Sequence, residues 1–139
     1  MIIRKLEVSD LDRILEILNQ DSLRGYNGQL PVSQSPWIKH FLEDNCFAFG
    51  LELQSQIQSV ILAEKLTYNG CIVWYIATSP EHQSSGLATQ LLQWFENWLK
   101  SIDITWIFLN SSEVSLDFYK NRGYITSQYS KVWEHVKEF

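Results

Sequence analysis

The 139-residue sequence has no basic run: 11 lysines and arginines stand against 16 aspartates and glutamates, a net charge of −5. A nucleic-acid partner needs clustered cations to displace its counterions, so none is expected. No apolar stretch approaches the roughly 20 residues of a membrane-spanning helix, and no membrane partner is expected either. The opening residues, Met1-Ile2-Ile3-Arg4-Lys5-Leu6-Glu7, bring charge too early for a secretory signal. Cysteine is scarce. Cys46 and Cys71 each begin an apolar run, and no Cys or His recurs at metal-ligand spacing. They read as buried free thiols in a reducing, cytoplasmic compartment with no metal, a disulfide or metal site being the alternative. With 3 prolines and 6 glycines, the chain does not resemble a disordered or collagen-like segment.

Apolar residues are abundant instead, at 45% of the chain, with 14% aromatic and 6 tryptophans. At this length such a composition makes one compact domain over residues 1–139. The acidic balance favours a cationic small molecule or a basic peptide as partner. A homodimer is left open.

Residues 2–8 read as a first strand, and Ser9 as the N-cap of a helix whose Leu11, Ile14, Leu15 and Leu18 share a face. Residues 21–36 lose all periodicity and form a long connection, either a lid over an acceptor site or a plain surface loop. Ser35 caps a short helix with Trp37, Phe41 and Leu42 facing inward. Strands follow at 46–54, 56–66 and 72–78, the last two joined in an antiparallel hairpin through Asn69-Gly70. Residues 72–78 are almost continuously apolar, as in a central strand covered on both faces. A helix over 86–101 presents Leu87, Leu91, Trp94, Phe95, Trp98 and Ile102, and a strand over 105–109 completes a parallel crossover. Asn110-Ser111-Ser112 opens a helix that ends at Gly123, and residues 124–136 supply two more strands. The sum is a three-layer α/β/α domain around a mixed, mostly antiparallel sheet.

In open α/β sheets ligands bind beyond the carboxyl ends of strands, and two such ends carry candidate chemistry. After Ile76-Ala77-Thr78-Ser79-Pro80 a short polar turn leads into a helix at Gly86. The first turn of a helix has N–H groups without intrahelical acceptors and the positive end of the dipole, which makes it a seat for phosphate. Ser84 and Ser85 add hydroxyl donors, and Gly86 lets an anion approach the backbone; plain helix capping is the alternative. At the second end Ser112, Ser115 and Tyr119 stand at i, i+3, i+7 and share one face, suited to a narrow ligand arm. The alternative there is that Phe118-Tyr119 is an aromatic core pair.

Gln83-x-x-Gly86-x-Ala88 resembles the Gln/Arg-x-x-Gly-x-Gly/Ala pyrophosphate loop of the GNAT family of N-acetyltransferases. Leu116-Asp117-Phe118-Tyr119-Lys120-Asn121-Arg122-Gly123-Tyr124 is similar to that family's second motif, a helix ending in a Phe-Tyr pair and a Gly-aromatic. The resemblance implies transfer of an acetyl group from the co-substrate acetyl-CoA to a primary amine. It implies that backbone groups of Ile76, Ala77 and Thr78 meet the pantetheine arm where two parallel strands splay. Gln83, Ser84, Ser85, Gly86, Leu87, Ala88 and Thr89 would hold the pyrophosphate, Asn110, Ser112 and Ser115 would line the arm, and Tyr119 would be general acid to the CoA thiolate.

The sequence departs from the family pattern at Ser112, where many members have Asn, and at Ser115, where many have Ala. The general-base glutamate that many members carry on a splayed strand is missing from 72–78 and 105–109. Glu64 is the nearest carboxylate, acting through water or merely solvated. His40, His82 and His135 have no assigned role. A non-catalytic acyl-CoA-binding or regulatory module, or a purely structural domain, remains the alternative to an enzyme. Asp21, Glu43, Asp44 and Glu64, alongside Tyr26 and Trp37, suit a small cationic amine, a peptide N-terminus or a lysine as acceptor.

Overall fold

The computed structural model describes residues 1–19, 35–111, 116–129 and 132–139. In chain order the elements are β1 (Ile2–Lys5), α1 (Leu11–Leu18), α2 (Ser35–His40), β2 (Cys46–Leu53), β3 (Gln56–Leu66) and β4 (Gly70–Thr78). Then come α3 (Leu87–Ser101), β5 (Trp106–Ser111), α4 (Leu116–Lys120), β6 (Ile125–Tyr129) and β7 (Val132–Glu138). The strands form one sheet in the order β1-β2-β3-β4-β5-β7-β6. Every neighbouring pair is antiparallel except β4 and β5.

Alternation along the strands sends side chains into two separate cores. Leu51, Ile61, Val73 and Ile107 point to α3, where Leu91, Phe95 and Leu99 are fully buried. Leu62, Val60 and Ala77 point the other way, to Ile14, Ile17 and Leu18 of α1 and to Ile38 and Phe41 in and after α2. Each such fully buried side chain stabilises by roughly 1.5–3 kcal/mol, so the sheet is held from both faces. The three-layer architecture expected from the element order is therefore the one adopted. β3 is the strand covered most completely, with residues from Ile57 through Ala63 buried on both faces.

Several local expectations are corrected. The first strand stops at Lys5, and Ser9 lies inside a 3-10 turn (Val8–Asp10) and caps nothing. Asp10 holds the chain entry instead, accepting from the Glu7 N–H at 2.8 Å and from both Arg4 terminal nitrogens at 2.9 Å. That guanidinium pairing pulls the Asp10 carboxyl below its usual range, against burial. Ile17 joins the buried face of α1, while Ile102 is exposed past the end of α3. Trp37 packs edge-on against buried Phe41 and against Trp74 but keeps 37% of its surface exposed. Asn110 and Ser111 extend β5 rather than opening a helix. The residues 21–34 of the long connection and 112–115 lie outside the described residues.

The β3–β4 hairpin turns one residue earlier than expected. Tyr68 and Asn69 both have positive φ, 58° and 60°, so Gly70 is the first residue of β4 and not a turn residue. Glycine is needed there for another reason: a Cβ at Gly70 would lie 2.2 Å from the Trp106 ring of β5. Gly70→Ala should destabilise the protein by about 1–3 kcal/mol, as overpacking of a tight contact does. Chemical denaturation would measure it, and an unchanged midpoint would show that Trp106 yields freely.

Candidate active site

The parallel pairing of β4 and β5 runs only from Gly70↔Trp106 to Val73↔Leu109. Beyond that point β4 continues to Thr78 beside β3, and β5 continues to Ser111 beside β7, with no ladder between them. The cause lies in β4. Leu62 pairs with Tyr75 and Ala63 with Val73, leaving Trp74 as a bulge residue with no partner opposite. A bulge bends its strand and raises the local twist, which turns β4 away from β5. The expectation that 72–78 is buried on both faces fails here for the same reason, and Trp74 is 44% exposed.

At the end of β4 the backbone is fixed before it reaches the loop. Buried Ser79 donates its N–H to the Gln58 carbonyl at 2.7 Å and its hydroxyl to Gln58 Oε1 at 2.6 Å. A 3-10 turn (Pro80–His82) follows, and the Ser85 hydroxyl donates to the His82 carbonyl. Gln83 reaches back toward the Thr78 carbonyl. Ser84 (φ 67°) and Gly86 (φ 85°) are left-handed, and they swing the chain into the start of α3. No side-chain hydrogen bond caps that start among the described residues. A Cβ on Gly86 would meet no atom within 4 Å, so glycine is required by the backbone angle and by nothing packed against it. Leu87 is buried and anchors the helix, while Gln83, Ser84 and Ser85 are exposed. The arrangement presents unsatisfied N–H groups and a positive dipole end to an anion.

One cation adjoins this seat that sequence reading left without a role. Arg122, just past α4, donates to Thr89 of α3 and, at 2.6 Å, to the Phe118 carbonyl, with its guanidinium 3.9 Å from the Phe118 ring. Its Nε is buried without a hydrogen-bond partner. The signal was a single arginine within the second motif of an acidic chain.

Tyr119 on α4 is 5% exposed, its ring 4.8 Å from His135, 4.9 Å from Phe118 and 5.7 Å from Tyr124. His135 lies on β7 opposite Leu109, the last residue of β5 paired to β4, so Tyr119 sits where the two strands part. Fully buried His135 contacts the Ser111 hydroxyl at 2.6 Å and the Thr126 hydroxyl at 2.9 Å. Burial, and then Lys120, push its pKa below the usual histidine range. Asn110 is exposed at the end of β5; Ser112 and Ser115 lie outside the described residues.

The opposite face of β4 carries an aromatic cluster. Trp37 of α2 donates its Nε1–H to the Tyr75 hydroxyl at 2.9 Å and stands edge-on to Trp74 at 5.6 Å. Beside it, His40 Nε2 lies 3.1 Å from Glu64, which stands opposite Ile72 in the β3–β4 ladder. Cys46 Sγ is 3.6 Å from the same nitrogen. Burial, then Glu64 and Glu43, push the Cys46 thiol up to about 11. His40 and Glu64 are 24 residues apart, on a helix and a strand, so sequence spacing does not join them. Asp21 and Tyr26 fall outside the described residues. Both cysteines are buried and free.

A mixed sheet whose one parallel pair parts beside a left-handed glycine and a helix start defines an acyl-CoA-dependent acetyltransferase fold. The model of the acetyltransferase (GNAT) family matches residues 11–124, and the chain belongs to that family. Its co-substrate is acetyl-CoA. No curated protein matches the sequence significantly. Among solved structures, the PaiA N-acetyltransferase of Thermoplasma acidophilum in complex with coenzyme A is similar, at 18% identity over 99% of this chain and 98% of that one, with a TM-score of 0.78. The ribosomal-protein-S18-alanine N-acetyltransferase of Escherichia coli is similar at 16% identity, over 97% of this chain and 90% of that one, with a TM-score of 0.78. An aminoglycoside 6′-N-acetyltransferase complexed with coenzyme A shares 13% identity over 99% and 97% of the two chains, with a TM-score of 0.82. At these identities the likeness is one of fold. No helix among the described residues is long and apolar enough to cross a membrane.

Proposed function

We propose that the chain transfers the acetyl group of acetyl-CoA to a primary amine by direct attack, with Tyr119 as general acid. One observation supports this most: β4 and β5 separate after Val73 and Leu109 next to the uncapped start of α3. Residues 83–89 bind the pyrophosphate through backbone N–H groups and serine hydroxyls, with Arg122 close by. Ile76, Ala77 and Thr78 offer backbone groups to the pantetheine arm and Asn110 lines its other side, and contacts to the arm from Ser112 and Ser115 belong to the same proposal.

The neutral amine nitrogen bonds to the thioester carbon, and the carbonyl oxygen gains charge that an N–H near Ile76 stabilises. The carbon–sulfur bond then breaks and the Tyr119 hydroxyl gives its proton to the thiolate, to be reprotonated from water. Neither β4 nor β5 holds a carboxylate, so water takes both protons the nitrogen sheds, the ammonium proton before attack and the second once the nitrogen has bonded to carbon. The acceptor is a small cationic amine, a peptide N-terminus or a lysine, drawn by Glu43, Asp44 and Glu64 and by the faces of Trp37 and Trp74. The aminoglycoside and ribosomal-protein alanine named for two similar structures are both amines.

Two outcomes follow in an assay of CoA thiol release over a panel of amines. Cationic amines should be fastest, with kcat/KM rising between about pH 6 and 9 as the amine deprotonates. Acidic or neutral acceptors outrunning every cationic amine would defeat the charge argument. The missing strand carboxylate also favours a second reading, a non-catalytic acyl-CoA-binding module. Tight CoA binding with no thiol release from any amine would select it.

A further inference from the structure

We propose that His40 Nε2, Cys46 Sγ and Glu64 Oε2 form a three-ligand site for Zn²⁺. These atoms all lie within 4.8 Å of one another. Zinc bonds of about 2.0–2.3 Å at tetrahedral angles set ligand atoms about 3.3–3.6 Å apart. The separations found are 3.1 Å for nitrogen to oxygen and 3.6 Å for nitrogen to sulfur, with all three atoms inside 4.8 Å, so an ion enters by drawing sulfur and oxygen together by up to about 1 Å. In the ion's absence the three atoms make a poor hydrogen-bond set. One ring nitrogen faces two groups, and a proton on it can satisfy the carboxylate well but the thiol sulfur only weakly. A cation accepts a lone pair from all three.

The ligand set is one imidazole, one thiolate and one carboxylate, a borderline-soft combination that suits Zn²⁺ better than Mg²⁺ or Ca²⁺. The second ring nitrogen of His40 faces the Glu43 carboxylate at 3.8 Å, the side on which a ligating histidine carries its remaining proton. Three protein ligands leave a fourth position open, and His40 and Glu64 are each only partly buried, so water or a ligand can reach it. The ligands come from α2, β2 and β3. A helix of 6 residues is too short to hold itself, so an ion here fastens α2, and with it Trp37, onto the sheet.

The test needs no acceptor and no turnover, so it reads metal binding apart from acetyl transfer; with the ion bound, Glu64 and Glu43 face it, and Asp44 with the faces of Trp37 and Trp74 is left to draw a cationic acceptor. Chelator-treated protein is titrated with Zn²⁺ against a chromophoric chelator, and with Co²⁺ while the absorption spectrum is followed. One equivalent should bind and raise Tm by a few degrees, and Co²⁺ should give tetrahedral ligand-field bands with a thiolate-to-metal charge-transfer band. Cys46→Ser should abolish that band, and His40→Ala and Glu64→Gln should each weaken Zn²⁺ binding at least tenfold. Glu64→Gln is nearly isosteric, so it stays informative if another variant fails to fold. Absence of the charge-transfer band in the parent protein, or binding that all three variants leave unchanged, overturns the site.

Discussion

Tyr119→Phe should lower kcat about 10- to 1000-fold with little change in KM for acetyl-CoA. The phenol is proposed to act on a thiolate that exists only as the carbon–sulfur bond breaks, so its loss is felt in the transition state and little in binding. The ring contacts with Phe118, Tyr124 and His135 involve carbon faces and edges that phenylalanine keeps. A melting curve of the variant beside that of the parent separates a lost proton donor from a damaged core. The comparison must be made where chemistry limits the rate, with pre-steady-state thiol release as the check. An unchanged kcat under those conditions would make Tyr119 a packing residue.

Gly86→Val should abolish measurable acetyl-CoA binding, a loss of at least about 100-fold if the pyrophosphate contacts go with it. Two features act together. A β-branched residue at φ 85° is strained by about 1–3 kcal/mol, which distorts the turn into α3. Its methyl groups would also project into the space through which an anion approaches the first N–H groups of the helix, space that no protein atom occupies within 4 Å of the Cβ. Because the added Cβ meets no protein atom within 4 Å, and Leu87 and the rest of the α3 core face are untouched, the variant should still fold and unfold cooperatively. Calorimetry with acetyl-CoA decides it, and equal affinity in the two proteins would sink the loop assignment.

Much of this arrangement was legible in the sequence because it rests on local signals. The i, i+3, i+4 stripe of α1, the apolar run of β4 followed by Ser79-Pro80, and the glycine at the head of α3 are written within a few residues each. What was missed depends on register. The bulge at Trp74 cannot be read from Ile72-Val73-Trp74-Tyr75, which is uniformly apolar and aromatic; it follows from how β3 pairs on both sides of it. Nor does spacing join His40 to Cys46 and Glu64, because they come from a helix and two strands. The Asn69-Gly70 turn was shifted by one residue because Gly70 serves the close approach of Trp106, a contact between strands 36 residues apart. Ser9 lost the N-cap role to Asp10, whose carboxylate is held by Arg4, again a partner outside the local pattern.

The most direct measurement is a crystal structure of the protein with coenzyme A bound. The prediction is that the pyrophosphate lies on the N–H groups of residues 84–89. The pantetheine arm should run along Ile76, Ala77 and Thr78 between β4 and β5, and the sulfur should come within about 3.5 Å of the Tyr119 hydroxyl. Coenzyme A bound away from the start of α3, or a sulfur far from Tyr119 with the ring still packed on His135, would contradict it.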